Sequence, residues 1–154
     1  MSFLNDRLND LKDEDPHRRA RATKDLWNFW YQEAGEEAEK ELHKGIKLMD
    51  SNELLLAEEH FFNMTKKYPH FPEAQNKLAT VLYMLKKYCE SVEICKQVTL
   101  ANPYHFGAWN GSGLCLIQLG RFDEAIKSFE KALEIQPYAE VNAHYIARCR
   151  GALN

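Results

Sequence analysis

The chain has 154 residues, of which 45% are hydrophobic and 28% charged, and its formal net charge is −3. That balance supports a packed core and offers no general field for collecting nucleic acid or anionic lipid. No run approaches the roughly 18 apolar residues that would span a bilayer. The expectation is therefore a soluble intracellular chain, cytoplasmic or in an organelle interior, with no membrane insertion and no nucleic-acid partner.

Residues 1–17 are polar and acidic and are expected to be mobile or only loosely helical, within a flexible N-terminal segment that runs to residue 21. Its basic stretch from His17 to Lys24 follows Asp13, Glu14 and Asp15 and reads as a solvated helix start rather than a phosphate-binding signal. Residues 22–37 form a predicted aromatic helix, in which Leu26, Trp27, Trp30, Tyr31 and Ala34 share one face and Thr23 or Asp25 serves as cap. Such a face in water would be a sticky patch. It is expected either to cover the first helix of the segment that follows or to act as a second interface through Trp27, Trp30 and Tyr31.

From residue 38 the chain repeats. Pro69, Pro103 and Pro137 lie 34 residues apart, and the same spacing aligns Gly45 with Ala79 and Gly113, Leu48 with Leu82 and Leu116, and Phe61 with Cys95 and Phe129. Within each repeat the apolar and small residues recur every three or four positions, the period of an amphipathic helix. In the third repeat one helix is predicted from Phe106 to Leu119, broken by Gly120, and a second from Phe122 to Ile135, stopped by Pro137. Gly113 and Ala125 allow two backbones to approach, and Trp109 and Phe129 fill the wider gaps. The divisions are 38–71, 72–105 and 106–139, with the repeat pattern running to 137, and 138–154 reads as a capping helix with one wet face.

The columns Trp109, Gly113, Leu116, Gly120, Phe122, Ala125, Phe129, Ala132 and Pro137 resemble the tetratricopeptide repeat family. The resemblance covers about Ala38 to Pro137, closest in the third repeat and loosest in the first, where Glu41 and Lys44 occupy usually apolar columns. It implies an all-α fold, a right-handed superhelical stack of helical hairpins with three repeats, an N-terminal helix and a C-terminal cap. It also implies a concave groove lined by Leu42, Ile46, Met49, Asn76, Thr80, Tyr83, Met84, Asn110, Leu114 and Ile117. In the family, a clamp of lysine, asparagine and arginine grips the C-terminal carboxylates of chaperones. The matching columns here hold Leu42, Ile46, Lys77, Gly107 and Gly111, so the clamp is expected to be missing.

No nucleotide-binding, hydrolase, metalloprotease or calcium-loop motif occurs in the sequence. The four cysteines and six histidines show no zinc-type spacing, and His43 and His60 alone are too few for a metal. The reading is a non-catalytic module without cofactor or metal that binds an apolar or amphipathic segment of a protein or peptide partner. The alternative is a homo-oligomeric, self-associating structural protein using the aromatic helix.

Overall fold

The computed structural model describes residues 2–154, and the part of the expected flexible segment that falls on Met1 lies outside them. Among the described residues the chain is all helical. Two leading helices, α1 (Phe3–Asp10) and α2 (Pro16–Gln32), precede three hairpins: α3 (Glu36–Asp50) with α4 (Leu54–Lys67), α5 (Pro72–Met84) with α6 (Tyr88–Ala101), and α7 (Phe106–Gln118) with α8 (Phe122–Ile135). A last helix, α9 (Glu140–Leu153), closes the stack against α8. The architecture is a tetratricopeptide-like α-solenoid.

The 34-residue period has a backbone cause. Asn52, Lys86 and Gly120 all take positive φ, near 59°, 63° and 71°. Each turn satisfies two orphan carbonyls, as where the Lys86 N–H donates to the Tyr83 carbonyl and the Lys87 N–H to the Leu82 carbonyl, both near 2.9 Å. Glycine marks this turn in the sequence only at Gly120; Asn52 and Lys86 adopt the same conformation with side chains. At the far end of each hairpin, Pro69, Pro103 and Pro137 stand just beyond α4, α6 and α8, where a missing N–H prevents continuation.

Packing follows the small-residue columns. A Cβ on Gly113 would lie 2.5 Å from Cζ of Phe129, so the bare backbone of α7 is what lets that ring enter. Gly45 makes the same allowance for Phe61 between α3 and α4. One core gathers Leu42, Phe61, Phe71 and Leu82, and a second gathers Val92, Leu116, Phe129 and Ile146.

The N-terminal region departs from the expectation of a flexible stretch to residue 21. Ser2 caps α1 by accepting from the Asn5 N–H, and Asp15 caps α2 by accepting from the His17 N–H, with Pro16 at the first helical position. Thr23 and Asp25 lie inside α2 and cap nothing. Leu4, Leu8 and Leu11, spaced four and three residues apart, form an apolar stripe that joins Ala22, Leu26 and Trp30 in a third core. Arg18 pairs with the carboxylates of Asp10 and Asp13, which neutralise part of the basic stretch, and Arg19 donates to the Asp13 and Glu14 backbone carbonyls. The aromatic helix ends at Gln32, short of residue 37, because Gly35 at φ 95° turns the chain into α3.

Candidate functional site

The first helices of the hairpins, α3, α5 and α7, form one row of the solenoid and the second helices another. Between α5 and α7, backed by α6, lies a cavity of about 340 Å³. It brings together Asn76, Thr80, Tyr83, Met84, Asn110 and Leu114, six of the expected groove residues. Tyr83, Met84 and Leu114 supply its apolar surface, and Met84 is 41% exposed. Burial raises the Tyr83 hydroxyl above its ordinary pKa, with Tyr88, Cys115 and Tyr145 adding to the effect.

The other expected groove residues lie elsewhere. Leu42 is fully buried in the first core and presents nothing to a ligand. Ile46 and Met49 pack partly buried against that same core, and Ile117 against the second. None of these four lines the cavity. A helix turning by about 100° per residue places only some members of a column toward the cavity. Gly107 and Gly111, the glycines of the clamp columns, also line the cavity, and Ser91 and Cys95 of α6, which no groove column included, complete the lining. The spacing of Gly107, Gly111 and Leu114 along one face of α7 is the signal that points there.

The two asparagines differ from free backbone clamps. Asn76 is 6% exposed and donates from Nδ2 to Oε1 of Glu73 at 3.0 Å. Asn110 is half-buried and donates to Oδ1 of Asn142 on α9 at 2.8 Å, which leaves its carbonyl oxygen as the available group.

Beside the cavity lies a buried polar cluster. Glu73 and His105 are both inaccessible, with Nε2 of His105 2.8 Å from Oε2 of Glu73. The Ala108 N–H donates to Nδ1 of His105 at 3.0 Å, so Nδ1 is the acceptor and Nε2 carries the proton toward the carboxylate. The Lys77 ammonium sits 3.6 Å from the other Glu73 oxygen. In the sequence Glu73 looks like an ordinary acidic residue in the first turn of a helix, and its partner is 32 positions away.

This cluster is roofed by α2. Trp30 is 2% exposed and stacks on His105 with ring centres 4.5 Å apart, while Trp27 meets His105 and Phe106 edge-on and lies over Gly107. Lys77 lies 5.3 Å from the Trp27 ring and 5.0 Å from the Tyr31 ring. One expectation is corrected here. Trp27 and Trp30 reach α7 rather than the first helix of repeat one, which Tyr31 meets through His43 and whose core Tyr31 and Ala34 adjoin. Trp30 is buried against this cluster, while Trp27 and Tyr31 remain partly exposed. Tryptophan and histidine stack because both are flat, and Gly107 admits the indole where a side chain would block it.

Little reactive chemistry is available. Burial pushes the Cys95 thiol up to about 12, reinforced by Cys115, and the Ser91 hydrogen bond only partly offsets this. Cys115 donates to Ser91 at 3.2 Å. His60 is held against the Glu41 carbonyl and His43 lies near Glu39, so the two do not converge. No group of three metal-ligating side chains occurs among the described residues, and no described helix is long and apolar enough to cross a membrane.

Comparison with known proteins places this architecture. The family model for the tetratricopeptide repeat matches residues 107–138. A TPR repeat-containing protein of Rhizobium etli is 30% identical over 69 residues, 45% of this chain, and the match spans 34% of that relative's length. Among solved structures, the first TPR domain of Spaghetti (RPAP3) bound to HSP90 peptide SRMEEVD superposes with a TM-score of 0.72 at 21% identity, covering 73% of this chain and 90% of that one. MamA from MSR-1 covers 97% of this chain and 83% of its own, with a TM-score of 0.68 at 25% identity.

Proposed function

We propose that this chain, a tetratricopeptide-repeat protein, is a scaffold or adaptor that holds an extended apolar segment of a partner protein in the cavity between α5 and α7. The carrying observation is the lining itself: Tyr83, Met84 and Leu114 beside Gly107 and Gly111, with no cationic side chain among the lining residues. Lys77, the one cation in the clamp columns, is taken up by Glu73, Trp27 and Tyr31. An acidic C-terminal peptide of the kind bound by the RPAP3 domain would therefore find no charged partner here. Binding rests on apolar contact, with the Asn110 carbonyl and the Thr80 hydroxyl addressing the peptide backbone. The buried thiols suit a reducing compartment, the cytoplasm or an organelle interior.

Titration with a fluorescent extended heptapeptide rich in leucine and valine, alongside SRMEEVD, tests the reading. The apolar peptide is expected to bind preferentially, to weaken little as salt rises, and to lose roughly 1–3 kcal/mol in Tyr83→Ala and Asn110→Ala. Lys77→Ala should leave it unchanged. Preference for SRMEEVD, steep salt dependence and loss of binding in Lys77→Ala alone would overturn the proposal.

A further inference from the structure

On the opposite row of helices lies a second groove, of about 540 Å³, between α4 and α6 with α5 beneath. Its floor is Leu78, Leu82 and Ile94 and its wall is Leu55 and Phe62, the latter two 69% and 48% exposed. Every charged residue that lines it is a glutamate: Glu58, Glu59, Glu90 and Glu93. Lys87 pairs with Glu58 at 2.9 Å and Lys96 with Glu93 at 3.2 Å. Glu59 and Glu90 form no ion pair among the described residues.

The repeat supplies an internal control. One period on, Leu55 and Phe62 become Cys89 and Lys96, and two periods on Asp123 and Glu130. Leu78 and Ile94 become Ser112 and Ser128, whose hydroxyls lie 3.5 Å apart. The repeat fold is thus built one period on with serines in place of Leu78 and Ile94 and a lysine in place of Phe62, so the exposed apolar surface between α4 and α6 is not required for folding.

We infer that this groove is a second binding site, for a basic amphipathic helix of a partner protein. Leu55 and Phe62 are seven residues apart on α4, about 10.5 Å along its axis. That length matches two turns of an incoming helix presenting large aliphatic residues at i, i+3 or i+4, and i+7. The glutamate rim then meets lysine or arginine flanking that stripe, which sets orientation and favours encounter. The same rim opposes a second copy of this chain docking groove to groove, since carboxylates would face carboxylates, and it repels anionic lipid. The basic stretch of another copy's α2 lacks anchors, because Ala20 is the one exposed apolar residue between His17 and Lys24.

The test uses the full chain and an 18-residue labelled peptide with leucines at i, i+4 and i+7 flanked by lysines, followed by fluorescence anisotropy. Controls are the same peptide with glutamates for lysines and a scrambled version. Leu55→Asp and Phe62→Glu install the third repeat's own residues at exposed positions, and unchanged thermal melts verify that the fold is kept. Each is expected to weaken binding about tenfold or more, Glu59→Lys severalfold, and Tyr83→Ala not at all, with the glutamate and scrambled peptides failing to bind. Equal binding of all three peptides, insensitivity to Leu55→Asp and Phe62→Glu, or loss in Tyr83→Ala instead would overturn the site. So would concentration-dependent dimerisation that Leu55→Asp abolishes, because the occupant would then be a second copy.

Discussion

At Gly113 and Gly151 the same substitution should act with opposite sign, which isolates packing from helix propensity. A methyl group at Gly113 meets Phe129 at 2.5 Å, whereas at Gly151, inside α9, it meets nothing within 4 Å. Gly113→Ala forces the fully buried ring of Phe129 to shift, and overpacking of this kind costs about 1–3 kcal/mol, more than the gain of up to about 1 kcal/mol from alanine's helix propensity. Gly151→Ala keeps only the gain. Thermal melts should show Tm falling for the first and rising slightly for the second, by about 2–4 °C per kcal/mol. A rise in both would mean that the α7–α8 crossing is looser than the ring contact implies.

At the scale of the element, the docking of α2 is linked to pH through the residue at its end. Burial raises the Glu33 carboxyl pKa above its ordinary value, and the charge of Glu73 raises it further. Between the ordinary and the raised pKa the folded chain holds a proton that the unfolded chain has released. Stability therefore falls as pH rises through that window and stays lower above it. Glu33→Gln removes the penalty, so its Tm at neutral pH should exceed that of the parent, and the two should converge in acid below the window. Glu33 keeps solvent contact, so the effect should be modest. An unchanged difference between the two melts from acid to neutral pH would separate Glu33 from the buried cluster.

For the molecule as a whole, α1 and α2 function as part of the core. They cover Glu73, His105 and Phe106, which are 1%, 0% and 6% exposed. Removing residues 1–34 would uncover a buried carboxylate and an aromatic surface together, and leaving buried polar groups without their cover is costly. The shortened chain should melt lower, bind more of a hydrophobic dye and aggregate on concentration. A shortened chain as stable and monomeric as the parent would show that α7 does not need the indoles.

The sequence by itself determined the repeat, because its determinants are local and recur: a proline stop after each second helix, a glycine where a ring must enter, and apolar residues at helical spacing. It also carried the missing carboxylate clamp, since Gly107 and Gly111 have no side chains to offer. The tertiary structure decided what distant segments do to one another. Leu4, Leu8 and Leu11 are a three-residue stripe whose use depends on α2 lying alongside, and a stripe that short does not stand out in a polar stretch. Trp30 finds His105, 75 positions on, and Glu73 finds His105 across 32. No local pattern encodes such pairs; they form because the superhelix brings the start of α7 under α2. The same curvature withdraws Leu42 into the core and opens a cavity at Gly107, since which side of a helix meets solvent is set by the neighbours stacked against it.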